Sequence, residues 1–318
     1  MNHLFIVDPL PSLNVTADTT VAFMREAARR GHDVATVEVE GILAREGRAV
    51  AHSVPTRLLS GEDGPWYATD APVTRPLDEF DVVWMRKDPP YDLAYFYVAH
   101  LLSLVEPHTL VVNSGRGLRE VTEKLFVSHF PDLTPEALVS RSIDDLLGFL
   151  DHLGGEMIVK PLDGCGGEGV FHLSSGDRNV RALLEMATGH GTVFQIAQRY
   201  VPEIRAGDKR IILLEGEPIG AVLRVPEAWE TRANFHVGGS AVRAEITDRD
   251  REICDRLRPS LLEHGIFFAG IDVIGDWLTE VNVTSPTGIR EINALDGVRL
   301  EEQVLDRVEK RCGERRGG

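Results

Sequence analysis

The 318 residues, 43% hydrophobic and 26% charged, describe a folded chain too long for one ordinary domain; a disordered protein is excluded and two or three packed units are expected. A net charge of −16 argues against nucleic acid as a partner, so any phosphate chemistry has to gather its cations locally. Cys165, Cys254 and Cys312 are far apart and form no CxxC, which fits a reducing cytoplasm better than a disulfide framework or a zinc site; the opening MNHLFIVDPL does not read as a signal peptide, and no apolar run approaches membrane-spanning length.

Residues 4–7 read as a buried strand, 19–30 as a helix capped by Asp18 and stopped by Gly31, and 34–39 as a second strand. This β-α-β opening predicts a parallel sheet. A looser Gly/Pro-containing region is expected to about Leu77, then a strand at 81–85, a helix at 93–105, a strand at 110–112 and a helix at 118–129 with Glu123 and Lys124 inside it. A first domain boundary falls near Thr122. Beyond it the pattern gives a strand at 138–140, a helix at 143–152, strands at 157–160 and 170–173, a helix at 180–188 and a strand at 193–199. Residues 210–214 and 217–222 form a hairpin about Glu215-Gly216, and 226–240 read as a long mobile loop. A helix at 248–265, a hairpin at 269–283 and a terminal helix at 299–311 complete the chain.

The stretch FAGIDVIGDWLTEVNVTSPT, residues 268–287, carries the most chemistry. Ile271, Val273, Val281 and Val283 alternate with Asp272, Glu280 and Asn282, so register decides which side chains share a face. A two-residue turn at Gly275-Asp276 would set Asp272 opposite Thr279 and turn Glu280 to the other face. A three-residue turn, Gly275 to Trp277, sets Asp272 opposite Glu280 and Ile271 opposite Val281, keeping the β-branched residues on one buried face; it is the expected one. The polar face then holds two carboxylates and an amide oxygen, which need a counter-cation or raised pKa values. Hard oxygen donors with open positions suit Mg²⁺ bound together with substrate phosphates. A solvated hairpin with its acids facing water is the plainer alternative.

Lys160-Pro-Leu-Asp-Gly164-Cys-Gly166-Gly167-Glu-Gly169 contains a formal GxGxxG, but a dinucleotide fingerprint needs a helix next and VFHL is strand-like. Strand, glycine loop, strand describes a flap whose backbone N–H groups approach phosphates closely, beside the fixed charge of Lys160. Asp208, Arg210, Arg224 and Arg232 come from separate segments, as a triphosphate and a developing acyl phosphate require, although each alone could be a surface charge. Arg232 and Asn234, with Gly238-Gly239, fit a lid excluding water from a reactive intermediate, and by composition a plain disordered loop equally well. Arg86, directly off a strand end, is placed to clamp a substrate carboxylate, and Ser285-Pro286-Thr287 to supply hydroxyls and rigid backbone; ordinary turn chemistry accounts for both segments equally well. The eleven histidines show no metal-binding spacing.

Together these segments resemble the bacterial glutathione synthetase family of the ATP-grasp superfamily over nearly the full length. The likeness rests on DPL at 8–10, MRKDPP at 85–90, EKLF at 123–126, KPLDGCGGEG at 160–169, GDKR at 207–210, TRAN at 231–234, GIDVIGD at 270–276 and EVNVTSPTGIREI at 280–292. The resemblance implies an α/β ATP-grasp fold in three parts: an N-terminal parallel-sheet substrate domain (1–122), a lid subdomain with the glycine flap (123–201) and a C-terminal antiparallel-sheet domain with the metal site (202–318). It implies ATP-dependent ligation of γ-glutamylcysteine to glycine, with ATP as co-substrate, Mg²⁺ as cofactor (Mn²⁺ as its substitute), a cytoplasmic location away from membranes, and a homotetramer.

By the same resemblance Lys124 and Lys160 bind phosphates; Gly164, Gly166, Gly167 and Gly169 form the flap; and Gln198, Tyr200 and Val201 face adenine, with Asp208 near the nucleotide. Asp272, Glu280 and Asn282 hold Mg²⁺; Arg210, Arg232 and Asn234 serve the reaction centre; and Arg86, Arg224, Ser285, Pro286 and Thr287 contact substrate. The chain departs from its relatives at Ala228-Trp229 and Ala233, where they often carry glycines, so a stiffer lid is expected. A related ligase with another acyl or amine partner, and a nucleotide sensor without turnover, stay open at this stage.

Overall fold

The computed structural model describes residues 1–59, 65–105, 109–164, 166–227 and 239–317. Cys165, Ala228, Trp229, Arg232, Ala233, Asn234 and Gly238 lie outside the described residues. Among those described, the strands form three sheets.

The first contains β1 (Asn2–Ile6), β2 (Asp33–Val37), β3 (Ile42–Arg45), β4 (Arg48–Leu58), β5 (Tyr67–Thr69), β6 (Val73–Pro76), β7 (Val82–Met85) and β8 (Leu110–Val112). Its path is β3-β4-β2-β1-β7-β8, with β1, β2, β7 and β8 mutually parallel, as the β-α-β opening predicts. Helix α1 (Thr19–Arg29) has Asp18 as its N-cap, accepting from Thr20 N and Val21 N. Residues 42–77, expected to be loose, instead hold four antiparallel strands around β4. Glu46-Gly47 makes the turn of one hairpin, both with positive φ, the pattern of a type I′ turn. Ala49 and Ala51 at buried positions of β4 and Pro55 within it mask the alternation there.

Helix α2 (Leu93–Leu102) follows, then α3 (Gly115–Glu120). The helix expected over 118–129 is a correction: α3 stops at Glu120, and only a 3₁₀ turn at Phe126–His129 remains beyond it. The reason lies in a strand far along the chain. Glu123 O accepts from Val281 N at 3.0 Å and Leu133 O from Leu278 N at 2.9 Å, so this segment covers a sheet edge instead of bonding to itself.

The second sheet, β11-β10-β12-β9, is antiparallel and comprises β9 (Ala137–Ser140), β10 (Glu156–Pro161), β11 (Phe171–Ser174) and β12 (Gln195–Arg199). Its apolar face packs on α4 (Ile143–His152) and α5 (Val180–Ala187) through Leu146, Leu150, Val159 and Leu184. The third sheet, β15-β14-β13-β16-β17, is also antiparallel and comprises β13 (Asp208–Leu214), β14 (Glu217–Val225), β15 (Ser240–Arg243), β16 (Phe268–Ile274) and β17 (Trp277–Asn282). One face, with Ile211, Leu213, Ile271, Val273 and Val281, packs on α6 (Asp248–Glu263). The other changes character along its length. Ile212, Leu214, Val222 and Phe268 join the core with α1, α7 (Ile289–Asp296) and α8 (Leu300–Gly317), while the far end is ionic. The sequence reading had no helix at α7.

Candidate active site

The β16–β17 hairpin sets Asp272 opposite Glu280 and Ile271 opposite Val281, the pairing expected. The route to it differs. The turn is the two residues Gly275-Asp276, with Val273 opposite Leu278, and the register then shifts, leaving Thr279 as an extra residue. That bulge lets Leu278 and Glu280, two apart, face opposite sides: Leu278 is buried in the core and Glu280 points to the polar face. Thr279 Oγ1 donates to Asp272 O at 3.1 Å.

Cross-strand pairing extends this face into one row. Arg210 lies opposite Asp272 and Asp208 opposite Arg224. Arg210 grips Asp272 in fork geometry, Nε to Oδ1 at 2.5 Å and Nη2 to Oδ2 at 2.9 Å. Arg224 Nη2 reaches Asp208 Oδ2 at 2.5 Å and Asp272 Oδ2 at 3.0 Å, and Asn282 Nδ2 donates to Asp272 Oδ2 at 3.3 Å. Lys160, at the end of β10 in the second sheet, crosses to Glu280 Oε1 at 2.9 Å. Lys124 Nζ contacts Glu123 Oε1 at 2.7 Å and donates to Gly164 O in the flap. It is buried in a turn, not exposed on a helix.

Burial would raise the Asp272 pKa, but Arg210 and Arg224 hold it well below the usual carboxylate range. Burial likewise opposes ionisation of Glu280, and Lys160 and Lys124 outweigh it, leaving its pKa lowered. At two other carboxyls burial outweighs the cationic partner. Burial pushes Glu123 up to about 7, with Glu280 adding repulsion, and pushes Asp208 up to about 7 despite Arg224.

Between the second and third sheets lies a cleft lined by Lys124, Lys160, Gly164, Gly166, Gly167, Gln198, Tyr200, Val201 and Asp208, with Glu280 and Thr279 on its floor. Ile158, Val170 and Ile204 add apolar walls that the sequence reading did not single out. Gly166 and Gly167 have φ of 63° and 83°, values that favour glycine, so the backbone itself turns toward the cleft. Gly169 closes that turn against Pro161 without lining the cleft. Gln198 Nε2 and Asp208 Oδ1 are buried without a hydrogen-bond partner among the described residues. Such groups are costly unless something else satisfies them.

Of the residues expected at the substrate, Arg224 is part of the ionic row, and Arg86, Ser285, Pro286 and Thr287 come together beside it. Arg86, 5% exposed, donates from Nε to Thr20 Oγ1 and from Nη2 to Pro286 O, both at 3.0 Å. Arg210 Nη1 donates to Thr287 O at 3.2 Å, and Ser285 Oγ donates to Asp88. Asp88 and Glu123 were not singled out earlier; only their neighbours in MRKDPP and EKLF pointed at them. Arg232 and Asn234 fall outside the described residues.

Two antiparallel sheets closing on a cleft beneath a glycine flap, with Glu280 and Lys160 paired across it and the acid–base row running on from Glu280, define an ATP-grasp ligase. Solved structures agree on that fold: D-cycloserine synthetase DcsG superimposes with a TM-score of 0.65 at 16% identity over 97% of this chain and 99% of its own. ATP-grasp ligase PsnB, complexed with precursor peptide PsnA2 and AMPPNP, gives 0.62 at 15% over 98% of each chain. Residues 1–119 match the prokaryotic glutathione synthetase N-terminal domain and residues 123–297 the ATP-grasp domain of the same enzyme; the chain belongs to the prokaryotic glutathione synthetase family. It is 49% identical to the glutathione synthetase of Gloeobacter violaceus over 312 residues, 96% of each chain, and 46% identical to that of Brucella melitensis over 308 residues, 96% of this chain and 97% of the relative.

Proposed function

We propose that the chain joins γ-glutamylcysteine to glycine, cleaving ATP to ADP and phosphate. The observation that carries the chemistry is the row Arg210–Asp272–Glu280–Lys160, in which Glu280 of the third sheet meets Lys160 of the second at the floor of the cleft and Asp272, opposite Glu280, is held by Arg210. The family supplies the identity of the substrates. The same reading assigns Lys124 and Lys160 to the phosphates, Gln198, Tyr200 and Val201 to the adenine and Asp208 to the nucleotide. It divides the chain at 122 and 201, places the enzyme in the cytoplasm, and takes a homotetramer as its assembly.

A divalent cation fits this donor set. Asp272, Glu280 and Asn282 offer two carboxylates and an amide oxygen, hard ligands suited to Mg²⁺ and acceptable to Mn²⁺. Bound there, the cation supplies charge neutralisation for the β- and γ-phosphates. The chain's own groups are already arranged for the exchange. Lys160 neutralises Glu280 and Arg210 neutralises Asp272, so a cation held by the trio would take over Glu280 and free Lys160 for a phosphate without leaving a buried charge unpaired.

The residues then act by position and charge. Arg86 and the 285–287 backbone orient the dipeptide so that its cysteinyl carboxylate oxygen attacks the γ-phosphorus; the bond to ADP breaks and an acyl phosphate forms. Glycine's amine attacks the acyl carbon, the adduct's negative charge faces Arg210, and phosphate leaves as the amine proton is lost. Arg224 secures the buried ends of Asp208 and Asp272 behind Arg210. Arg232 and Asn234 complete this assignment from the lid.

ADP release measured with γ-glutamylcysteine and glycine, each omitted in turn, tests the substrates: release independent of both would overturn the reading. Glu280→Gln should lower turnover by about a hundredfold, and near-normal ADP formation in that variant would remove Glu280 from the metal site.

A further inference from the structure

Asn113 follows the last residue of β8 and is 3% exposed. Its amide uses its full hydrogen-bonding capacity on the third sheet. Nδ2 donates to Phe268 O and to Val283 O, both at 2.7 Å, and Oδ1 accepts from Phe267 N and Phe268 N, both at 2.8 Å. Phe268 opens β16, and Val283 directly follows β17. The ladder between those strands ends at Gly270 opposite Asn282. Beyond that rung the two strands present carbonyls, and the Asn113 amide bridges them in place of a further backbone pair.

We propose that Asn113 is a positioning residue for the metal-binding trio, holding shut the end of the hairpin from which Asn282 and Asp272 project. This rests on the assignment of Asp272, Glu280 and Asn282 to the cation. The outer side of β17 is fixed at Glu123 O and Leu133 O and the segment beyond it at Ser285, Pro286 and Thr287; Asn113 is what joins β16 to β17 at the open end of the ladder. Without it Asn282, next to Val283, moves first, while the adenine side of the cleft, built on β10 and β12, is untouched. A few tenths of an ångström at a ligand is enough to matter, because partners one layer out from a metal set its affinity.

The test is Asn113→Asp, which keeps the shape and both accepted N–H bonds but turns a carboxylate oxygen on the two carbonyls. ADP affinity is measured calorimetrically with and without saturating Mg²⁺ in the wild type, N113D and E280Q. N113D should retain its metal-free affinity and lose about tenfold or more of the gain that Mg²⁺ confers. Retention of the full gain, or an equal loss of affinity with and without metal, overturns the proposal. E280Q retaining the gain would instead sink the trio assignment beneath it. Should N113D not fold, hydrogen exchange of the wild type decides: amides of Phe267 and Phe268 as slow as those of β13 support the clamp, and exchange as fast as exposed loop amides overturns it.

Discussion

At Gly270 an absent side chain shapes the site. A Cβ there would stand 3.0 Å from Arg210 Cδ and 3.0 Å from Pro286 Cβ, so glycine leaves the groove along which Arg210 reaches Asp272. Gly270→Ala should cost about 1–3 kcal/mol by denaturant titration. Its kcat should fall while KM for ATP stays near the wild-type value, because the crowding falls on the fork and not on the cleft. A rise in KM with kcat unchanged would contradict this. The acids of the row were legible from the sequence because strand alternation places them, and so was the need for counter-cations. Which cations answer was not. Arg210 and Arg224 come from two other strands, Lys160 from another sheet, and Lys124 from a segment whose backbone bonds to β17 cannot be read from its own residues.

At the scale of the element, the β16–β17 hairpin reaches its pairing by a bulge. Alternation demanded that Asp272 face Glu280, and a longer turn was the simplest way to supply it. The strand uses the short turn and inserts Thr279 instead, which leaves Asp272 O for the Thr279 hydroxyl. Thr279→Val keeps the shape and removes that bond; it should lower stability by about 1 kcal/mol without changing the urea m-value. A neutral result would mean that the bulge holds by pairing alone. Sequence pattern fails where it should. Bulges and the alanine-bearing β4 carry weak alternation, and α7 is amphipathic but only eight residues long between two positive-φ glycines, Gly288 and Gly297, whereas α1, the second sheet and the acidic hairpin carry their pattern over longer or paired segments.

For the whole molecule, the site depends on the N-terminal sheet staying docked on the third, and one buried carboxylate ties the two ends of the chain. Glu26 on α1, 1% exposed, accepts from Arg29 Nε at 2.7 Å and Nη2 at 2.8 Å, from Arg30 Nε at 2.7 Å and from Arg299 Nη2 at 3.0 Å. Arg30 continues to Asp306, Glu309 and the Glu302 carbonyl on α8. The Arg29 hydrogen bond, opposed by burial and joined by Arg30, lowers the Glu26 pKa from 4.5 to about 2. The sign follows: the unfolded chain binds the proton first, so this stability is fully present above pH 4.5 and is lost as pH falls from 4.5 toward 2. Glu26→Gln leaves three guanidinium groups facing an uncharged amide and should cost about 2–3 kcal/mol near neutral pH, toward the lower end for a broken buried pair because Arg29 and Arg299 are half exposed. Urea midpoints of the wild type and E26Q should be furthest apart at about pH 7 and converge only as pH falls toward about 2, since only the wild type has a carboxylate to lose. Midpoints separated equally at both pH values would show that the cluster acts through shape and not through charge.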